Sequence, residues 1–146
     1  MLKESKLWNY LSLNFYAWAL LEQAEDFSRK ENPQEAIEIF EAAKKFLQES
    51  KSALESELQR IDKNDEKTMV RRLVEASAAR KDHCSGRIVI EEAKILDKQG
   101  NHVSSSEKYG VAATVFQKIN NEYSEQIAKE AKPLVFLCQA WSDDYH

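Results

Sequence analysis

Histidine and cysteine are the first side chains to test for chemistry in this chain, because they supply metal ligands, nucleophiles and proton carriers. His83 and Cys84 are adjacent, whereas His102 and His146 stand alone in the sequence. Neighbouring residues on a helix point about 100° apart, so His83 and Cys84 cannot easily hold one metal ion. We therefore predict a surface histidine beside a buried cysteine, with no metal site and no cofactor.

Carboxylate pairs and glycine-rich loops, the other common catalytic patterns, give no catalytic signal. We expect Glu91-Glu92 and Asp143-Asp144 to lie on solvated faces, since nothing in the sequence indicates a cleft around them. Three scattered glycines cannot form a phosphate-binding loop. The serines at 104–106 have the chemistry of an anion site at a helix N-terminus, but helix capping explains them without a ligand. We therefore expect that the protein is not an enzyme.

The composition narrows the class of protein further. A length of 146 residues suits one domain, and the scarcity of glycine and proline favours long helices with few turns. The net charge of −4 disfavours nucleic acid, whose binding depends on neutralising phosphates with lysine and arginine. Cys84 and Cys138 do not indicate a disulfide framework. We expect a cytoplasmic protein.

The apolar segment at residues 6–27, KLWNYLSLNFYAWALLEQAEDF, has to be tested as a signal peptide or membrane span. Glu4 lies where a signal peptide is basic, and Asn9 and Asn14 interrupt the apolar run. A membrane span needs about 20 apolar residues, and this run is shorter. We predict neither, and interpret the segment as the first helix of a soluble domain.

Apolar residues recur at spacings of three and four along the chain, which predicts an all-α fold of about five helices without a sheet. The predicted helices cover residues 5–30, 33–61, 65–99, 105–119 and 122–142. Within the third helix, Ser85-Gly86 suggests a bend. Gly100 is expected in the left-handed region just after that helix.

Helix starts have their own signals. Asn32 is predicted as an N-cap, with Pro33 at the first helical position and Glu35 as its capping-box partner. Asn64 is predicted to cap the third helix, and Ser104 or Ser105 the fourth.

Two helical hairpins of the sequence resemble each other at a separation of 69 residues. Ala24 corresponds to Ala93, Ala36 to Ser105 and Leu47 to Phe116, each pair being 69 residues apart. Small side chains at such positions let two antiparallel helices approach closely. The separation is close to twice the tetratricopeptide period of about 34 residues.

The stretches AEDFSRKENPQEAIEIFEAAKKF and EEAKILDKQGNHVSSSEKYGVAATVF resemble tetratricopeptide helix–turn–helix units. The second half, through LVFLCQAW, is also similar to archaeal tetratricopeptide-like proteins. The resemblance implies one domain over 1–146, either a degenerate bundle of antiparallel hairpins or a short solenoid. Its repeat-like units cover 17–50 and 86–119. A divergent hairpin segment covers 51–85, and a C-terminal helix covers 122–142.

The same resemblance implies a groove along the first helix of each unit. It places Trp18, Leu21, Glu25 and Arg29 of one unit, and Arg87, Ile90, Lys94 and Lys98 of the other, on the groove face. The candidate partner groove therefore comprises Arg29, Arg87, Ile90, Lys94 and Lys98, whose basic and apolar character suits an acidic peptide or a carboxylate. A plain solvent face with Ile90 partly buried is the alternative.

A second candidate surface lies on the first helix, at Leu7, Trp8, Leu11, Phe15 and Trp18. Two interpretations stay open: this face is covered by the C-terminal helix through Leu134, Cys138 and Trp141, or it binds another chain. We expect a non-enzymatic interaction module, an adaptor or scaffold, with a protein or peptide partner or a homodimer. A purely structural self-associating bundle and an enzyme or subunit of unrecognised type are the alternatives.

Overall fold

The computed structural model describes the backbone of residues 4–123 and the side chains of residues 12–123. Four α-helices follow in order: α1 (Glu4–Arg29), α2 (Pro33–Leu58), α3 (Asn64–Lys98) and α4 (His102–Glu122). Residues 4–123 contain no strand, so the all-α prediction is confirmed there. The predicted fifth helix at 122–142 lies outside the described residues except for its first two positions.

The helices pack in chain order. α2 lies between α1 and α3, and α4 packs on α3. Hydrogen bonds from Ser77 to Asn14 and from Arg87 to Glu25 show that α1 and α3 run in the same direction. Within the described residues, α4 packs against α3 alone, whereas a closed four-helix bundle would also bring α4 against α1. The described helices therefore form an open stack of antiparallel hairpins.

The core of the first hairpin uses small residues where α1 and α2 approach, as the spacing predicts. Ala24, Ala36 and Ala43 are completely buried, and Phe40 and Leu47 fill the space between them. Two α3 side chains, Cys84 and Ile88, join this cluster, so the core continues from the first hairpin into the second.

The second hairpin packs around Phe116 of α4, and Gly86 of α3 is what admits its ring. A β-carbon on Gly86 would lie only 2.6 Å from Cζ of Phe116. α3 continues through Ser85 and Gly86 without interruption. The close approach of the Phe116 ring therefore explains why a glycine occupies position 86.

The two hairpin turns have the same backbone hydrogen bonds. The amide of Asn32 donates to the Phe27 carbonyl, and that of Asn101 to the Leu96 carbonyl, both at 2.9 Å. The residues before them, Glu31 and Gly100, have φ angles of 59° and 82° and donate to Ser28 (3.1 Å) and Asp97 (3.0 Å). These bonds form the Schellman motif. The left-handed conformation predicted for Gly100 is confirmed, and every matched residue is 69 positions from its counterpart.

The N-caps predicted for these helices are confirmed only in part. Asn32 and Pro33 occupy the predicted N-cap and first helical positions, but the Asn32 side chain makes no capping hydrogen bond. Asn64 is the first residue of α3 and not its cap, which is Lys63.

The predicted capping role of Ser104 or Ser105 is wrong, because α4 begins at His102 with Asn101 as N-cap. Ser105 is completely buried, and its hydroxyl donates to the Ala93 carbonyl of α3 at 2.7 Å. This serine joins α4 to α3 within the second hairpin, where the corresponding residue of the first hairpin is Ala36.

Candidate functional site

A row of polar side chains joins α1 to α3, although the two backbones approach each other at few points. In its first part, the Asn14 amide donates to the Ser50 hydroxyl of α2 at 2.9 Å, and Ser77 of α3 donates to the Asn14 carbonyl at 3.3 Å. All three side chains are buried. Because buried polar groups need partners, these hydrogen bonds fix how the three helices are aligned.

Further along the same seam, Arg87 of α3 binds Glu25 of α1 at two points. Its Nε donates to Oε1 at 2.6 Å and its second guanidinium nitrogen to Oε2 at 3.0 Å. The Arg87 side chain is 8% exposed, and its guanidinium also lies 5.3 Å from the centre of the Phe40 ring. A two-point arginine–carboxylate pair in a largely desolvated place is stronger and more directional than a surface pair.

Glu91 brings a second carboxylate into this seam and is completely buried. Lys94 Nζ lies 2.8 Å from its Oε2, and the Arg87 guanidinium 3.6 Å from the same atom. Neither carboxylate oxygen of Glu91 accepts a well-aligned hydrogen bond. Its charge is therefore balanced by these two cations, in what we call the ion cluster: Glu25, Arg87, Glu91 and Lys94, with Ser28 accepting from both cations.

An aromatic cleft opens between α1 and α3 on one side of the ion cluster. Its volume is about 390 Å³, and its lining consists of Asn14, Phe15, Trp18, Leu73, Ala76 and Arg80. Phe15 is 70% exposed and Trp18 49%. The Arg80 guanidinium lies 5.4 Å from the Trp18 ring centre, and no carboxylate of residues 12–123 forms an ion pair with it. This cleft therefore combines an apolar wall with a cation that stacks on tryptophan.

A basic pocket of about 580 Å³ lies on the other side of the ion cluster, between the two hairpin turns. Its cations are Arg29, Lys94 and Lys98. The Arg29 guanidinium is 3.8 Å from Asp26 in an exposed pair, and Lys98 has no ion-pair partner among the described side chains. The remaining lining residues are Ser28, Glu31, Pro33, Asp97 and Tyr109.

Only three of the five residues predicted for the partner groove line one pocket. Arg29, Lys94 and Lys98 line one pocket, as the repeat pattern suggested. Arg87 and Ile90 are 7% and 1% exposed and do not line it. Arg87 is directed to Glu25 of α1, and Ile90 packs in the apolar cluster of the second hairpin. These two residues therefore hold helices together and are not accessible to a partner.

The predicted apolar interface is exposed where it can be described. The four described helices leave Phe15 and Trp18 uncovered. The side chains of Leu7, Trp8 and Leu11 lie outside the described residues. The predicted cover by Leu134, Cys138 and Trp141 lies outside them as well.

Cys84 is buried as predicted, and this burial raises the pKa of its thiol to about 12. A thiol with so high a pKa is protonated at neutral pH and is a poor nucleophile. His83 is partly buried and not a plain surface residue. Its ring meets Phe116 edge to face at 5.6 Å. Burial, reinforced by the Arg87 charge, lowers the pKa of His83 to about 4.

Three further findings concern possibilities that the sequence raised: a metal site, a solvated acidic pair and a membrane span. Within residues 12–123, no group of three or more histidine, cysteine, aspartate or glutamate side chains is placed to hold a metal ion. Of the acidic pair at 91–92, Glu92 lies at the surface 3.7 Å from Lys108, whereas Glu91 is buried, contrary to the prediction of a solvated pair. No helix of the described part is long and apolar enough to cross a membrane.

No protein-family model matches this chain, and comparison with curated proteins and with solved structures likewise finds no match. The tetratricopeptide resemblance therefore remains a prediction based on the sequence pattern.

Proposed function

We propose that this protein is a non-enzymatic interaction module that binds a segment of another protein along the α1–α3 face. This face comprises the aromatic cleft at one end and the basic pocket at the other. The observation that carries the proposal is the exposure of Phe15 and Trp18 in one cleft. We further propose an adaptor or scaffold of tetratricopeptide-like type that acts in the cytoplasm.

Exposed aromatic side chains support this proposal because they cluster. A single exposed apolar residue is ordinary, whereas grouped apolar residues bordered by polar ones are typical of protein-binding surfaces. Here Phe15 and Trp18 share a cleft with Leu73 and Ala76, and Arg80 forms a polar border. Tryptophan and arginine are also the residue types that contribute most to binding free energy at interfaces.

The interior of the seam supports the proposal because it makes the face rigid. The Arg87–Glu25 pair and the Asn14–Ser77 hydrogen bond hold α1 beside α3 at two levels. A cleft held open in this way does not have to be ordered when a partner binds, so less conformational entropy is lost on binding.

A photo-cross-linking experiment in the native cells tests the proposal. A benzophenone amino acid replaces Phe15 in the full chain, and in a matched control it replaces Val111, which is 51% exposed on α4. We expect a cross-linked adduct with another protein from position 15, absent from position 111, and lost when Trp18→Ala is added. Mass spectrometry identifies the adduct.

Self-association is the alternative that the same exposed aromatic residues favour. It predicts an adduct from position 15 with the mass of two copies of this chain, and a dimer by light scattering at low micromolar concentration. An adduct that forms equally from positions 15 and 111, or from neither, would show that the α1–α3 face is not the binding surface.

A further inference from the structure

The aromatic cleft and the basic pocket lie on the same side of the molecule. On α1, Trp18 and Arg29 belong to one stripe of three- and four-residue spacings, and on α3 so do Arg80, Lys94 and Lys98. The ion cluster lies between them and closes the seam at that point. A single bound segment can therefore run from the aromatic cleft across the ion cluster to the basic pocket.

The helix rise sets the distance between the two sites. At about 1.5 Å per residue, Trp18 and Arg29 are about 16 Å apart along α1, and Arg80 and Lys98 about 27 Å apart along α3. A helical segment spans this distance with about 11–18 residues. An extended segment needs about 5–8 residues.

Two cations of this face have no ion-pair partner among the described side chains, although the chain as a whole is acidic. The chain has a net charge of −4, yet Arg80 and Lys98 have no ion-pair partner among the described side chains. The Arg29–Asp26 pair is long and exposed, so it neutralises Arg29 weakly. Two carboxylates, Glu31 and Asp97, also line the basic pocket, and Asp97 lies 2.6 Å from His102. Arg80 and Lys98 are therefore the cations that an acidic partner can pair with at the two ends of the face.

We infer that the partner segment is bipartite, with bulky apolar side chains at one end and acidic side chains at the other. The apolar end binds Phe15 and Trp18, with one acidic residue beside it for Arg80. The acidic end binds Arg29 and Lys98, about 16–27 Å away. The segment thus runs in a fixed direction, its acidic end at the hairpin turns. This inference rests on the proposed function and specifies the partner's chemistry.

Selection of peptides from a random library tests it directly. Phage that display random 20-residue peptides are selected on the full-length protein, and enriched peptides are synthesised for fluorescence anisotropy. We expect enriched sequences with aromatic or large aliphatic residues at one end and at least two acidic residues toward the other. Trp18→Ala should weaken their binding about tenfold or more. Lys98→Glu should weaken it about three- to tenfold.

Lys118→Glu is the matched control, because it makes the same charge reversal at an exposed position of α4. It should leave the affinity within about twofold. When the distal acidic residues of a peptide are replaced by asparagine or glutamine, its affinity should no longer change with Lys98→Glu. This result would show that Lys98 interacts with those acidic residues.

Three results would overturn the inference: no enrichment from the library, enriched peptides without distal acidic residues, or affinities unchanged by Lys98→Glu. A cross-link from position 15 together with any of these leaves the proposed function standing and rejects the bipartite partner. Absence of the cross-link rejects the proposed function itself.

Discussion

The guanidinium of Arg87 binds both carboxylate oxygens of Glu25, at 2.6 and 3.0 Å, and so ties α3 to α1 where their backbones have few contacts. The Arg87 side chain is 8% exposed and that of Glu25 32%, so the pair lies at the inner edge of the surface. The second carboxylate near Arg87, Glu91, is farther away at 3.6 Å. Glu25 is therefore the principal partner of a nearly buried cation.

Replacing Glu25 should destabilise the fold more than removal of an ordinary surface pair. Glu25→Gln is expected to lower the free energy of unfolding by about 1–3 kcal/mol, because it leaves Arg87 without its main counter-charge. Asp26→Asn is the matched control on the same turn, where Asp26 pairs with exposed Lys30 at 2.8 Å. Its effect should be much smaller than that of Glu25→Gln, because both partners of this pair are exposed to solvent and screened by it. Urea denaturation measures both, and equal effects would contradict the structural role of the Arg87 pair.

Gly86 should not tolerate a methyl group. Gly86→Ala places a β-carbon 2.6 Å from the Phe116 ring, and the resulting displacement is expected to cost about 1–3 kcal/mol. Ser85→Ala, one residue away, should cost less. Thermal unfolding compares the two. Phe116→Leu in the Gly86→Ala background should recover part of the lost stability. An unchanged stability of Gly86→Ala would contradict the close packing of the Phe116 ring against position 86.

The two hairpin turns offer a paired test of backbone strain. Glu31→Gly is expected to stabilise the protein by about 0.5 kcal/mol, since Glu31 has a φ of 59° and glycine adopts this conformation without strain. Gly100→Ala should destabilise it by about 1 kcal/mol. A β-carbon at position 100 meets no other atom within 4 Å, so this loss is conformational. Chemical denaturation should show a higher free energy of unfolding for Glu31→Gly and a lower one for Gly100→Ala. Changes of the same sign would contradict the match between the two turns.

The pH dependence of stability should carry a contribution from His83. The pKa of His83 is about 4 in the folded state and ordinarily about 6.5, so the unfolded chain binds a proton that the folded chain does not. Stability is therefore lost as pH falls from about 6.5 toward about 4, by about 1–2 kcal/mol between pH 7 and pH 5. His83→Phe retains a ring against Phe116 and removes this contribution. If both proteins lose the same stability over this range, His83 is not held neutral by the fold.

Much of the fold was predictable because it depends on local sequence. The three- and four-residue spacing located Ala24, Ala36, Phe40 and Leu47 in the core, where they are completely buried. The position of Gly100 also follows from local chemistry, because only a residue that accepts a left-handed conformation ends a helix in this way. Such features require no knowledge of which helices are neighbours.

The site was harder to predict because it depends on which helices lie side by side. The repeat pattern predicts Arg87 in a binding groove, and its pairing with Glu25 follows only once α1 and α3 are known to run in parallel at this alignment. Local sequence likewise predicts Ser105 as a helix cap, although its partner is the Ala93 carbonyl on another helix. One feature of the sequence points to charge pairing between α1 and α3. The matched positions Glu25 and Lys94, 69 residues apart, carry opposite charges, although the apolar spacing around them is similar.

The most direct test of the proposed function is the affinity of the purified cross-linked partner for two double variants. Phe15→Ala with Trp18→Ala removes the aromatic cleft, whereas Val103→Ala with Val111→Ala removes exposed apolar side chains from α4. Isothermal titration should give a Kd about tenfold or more higher than wild type for the first variant and within about twofold for the second. An unchanged affinity for the cleft variant, or a loss confined to the α4 variant, would contradict binding along the α1–α3 face.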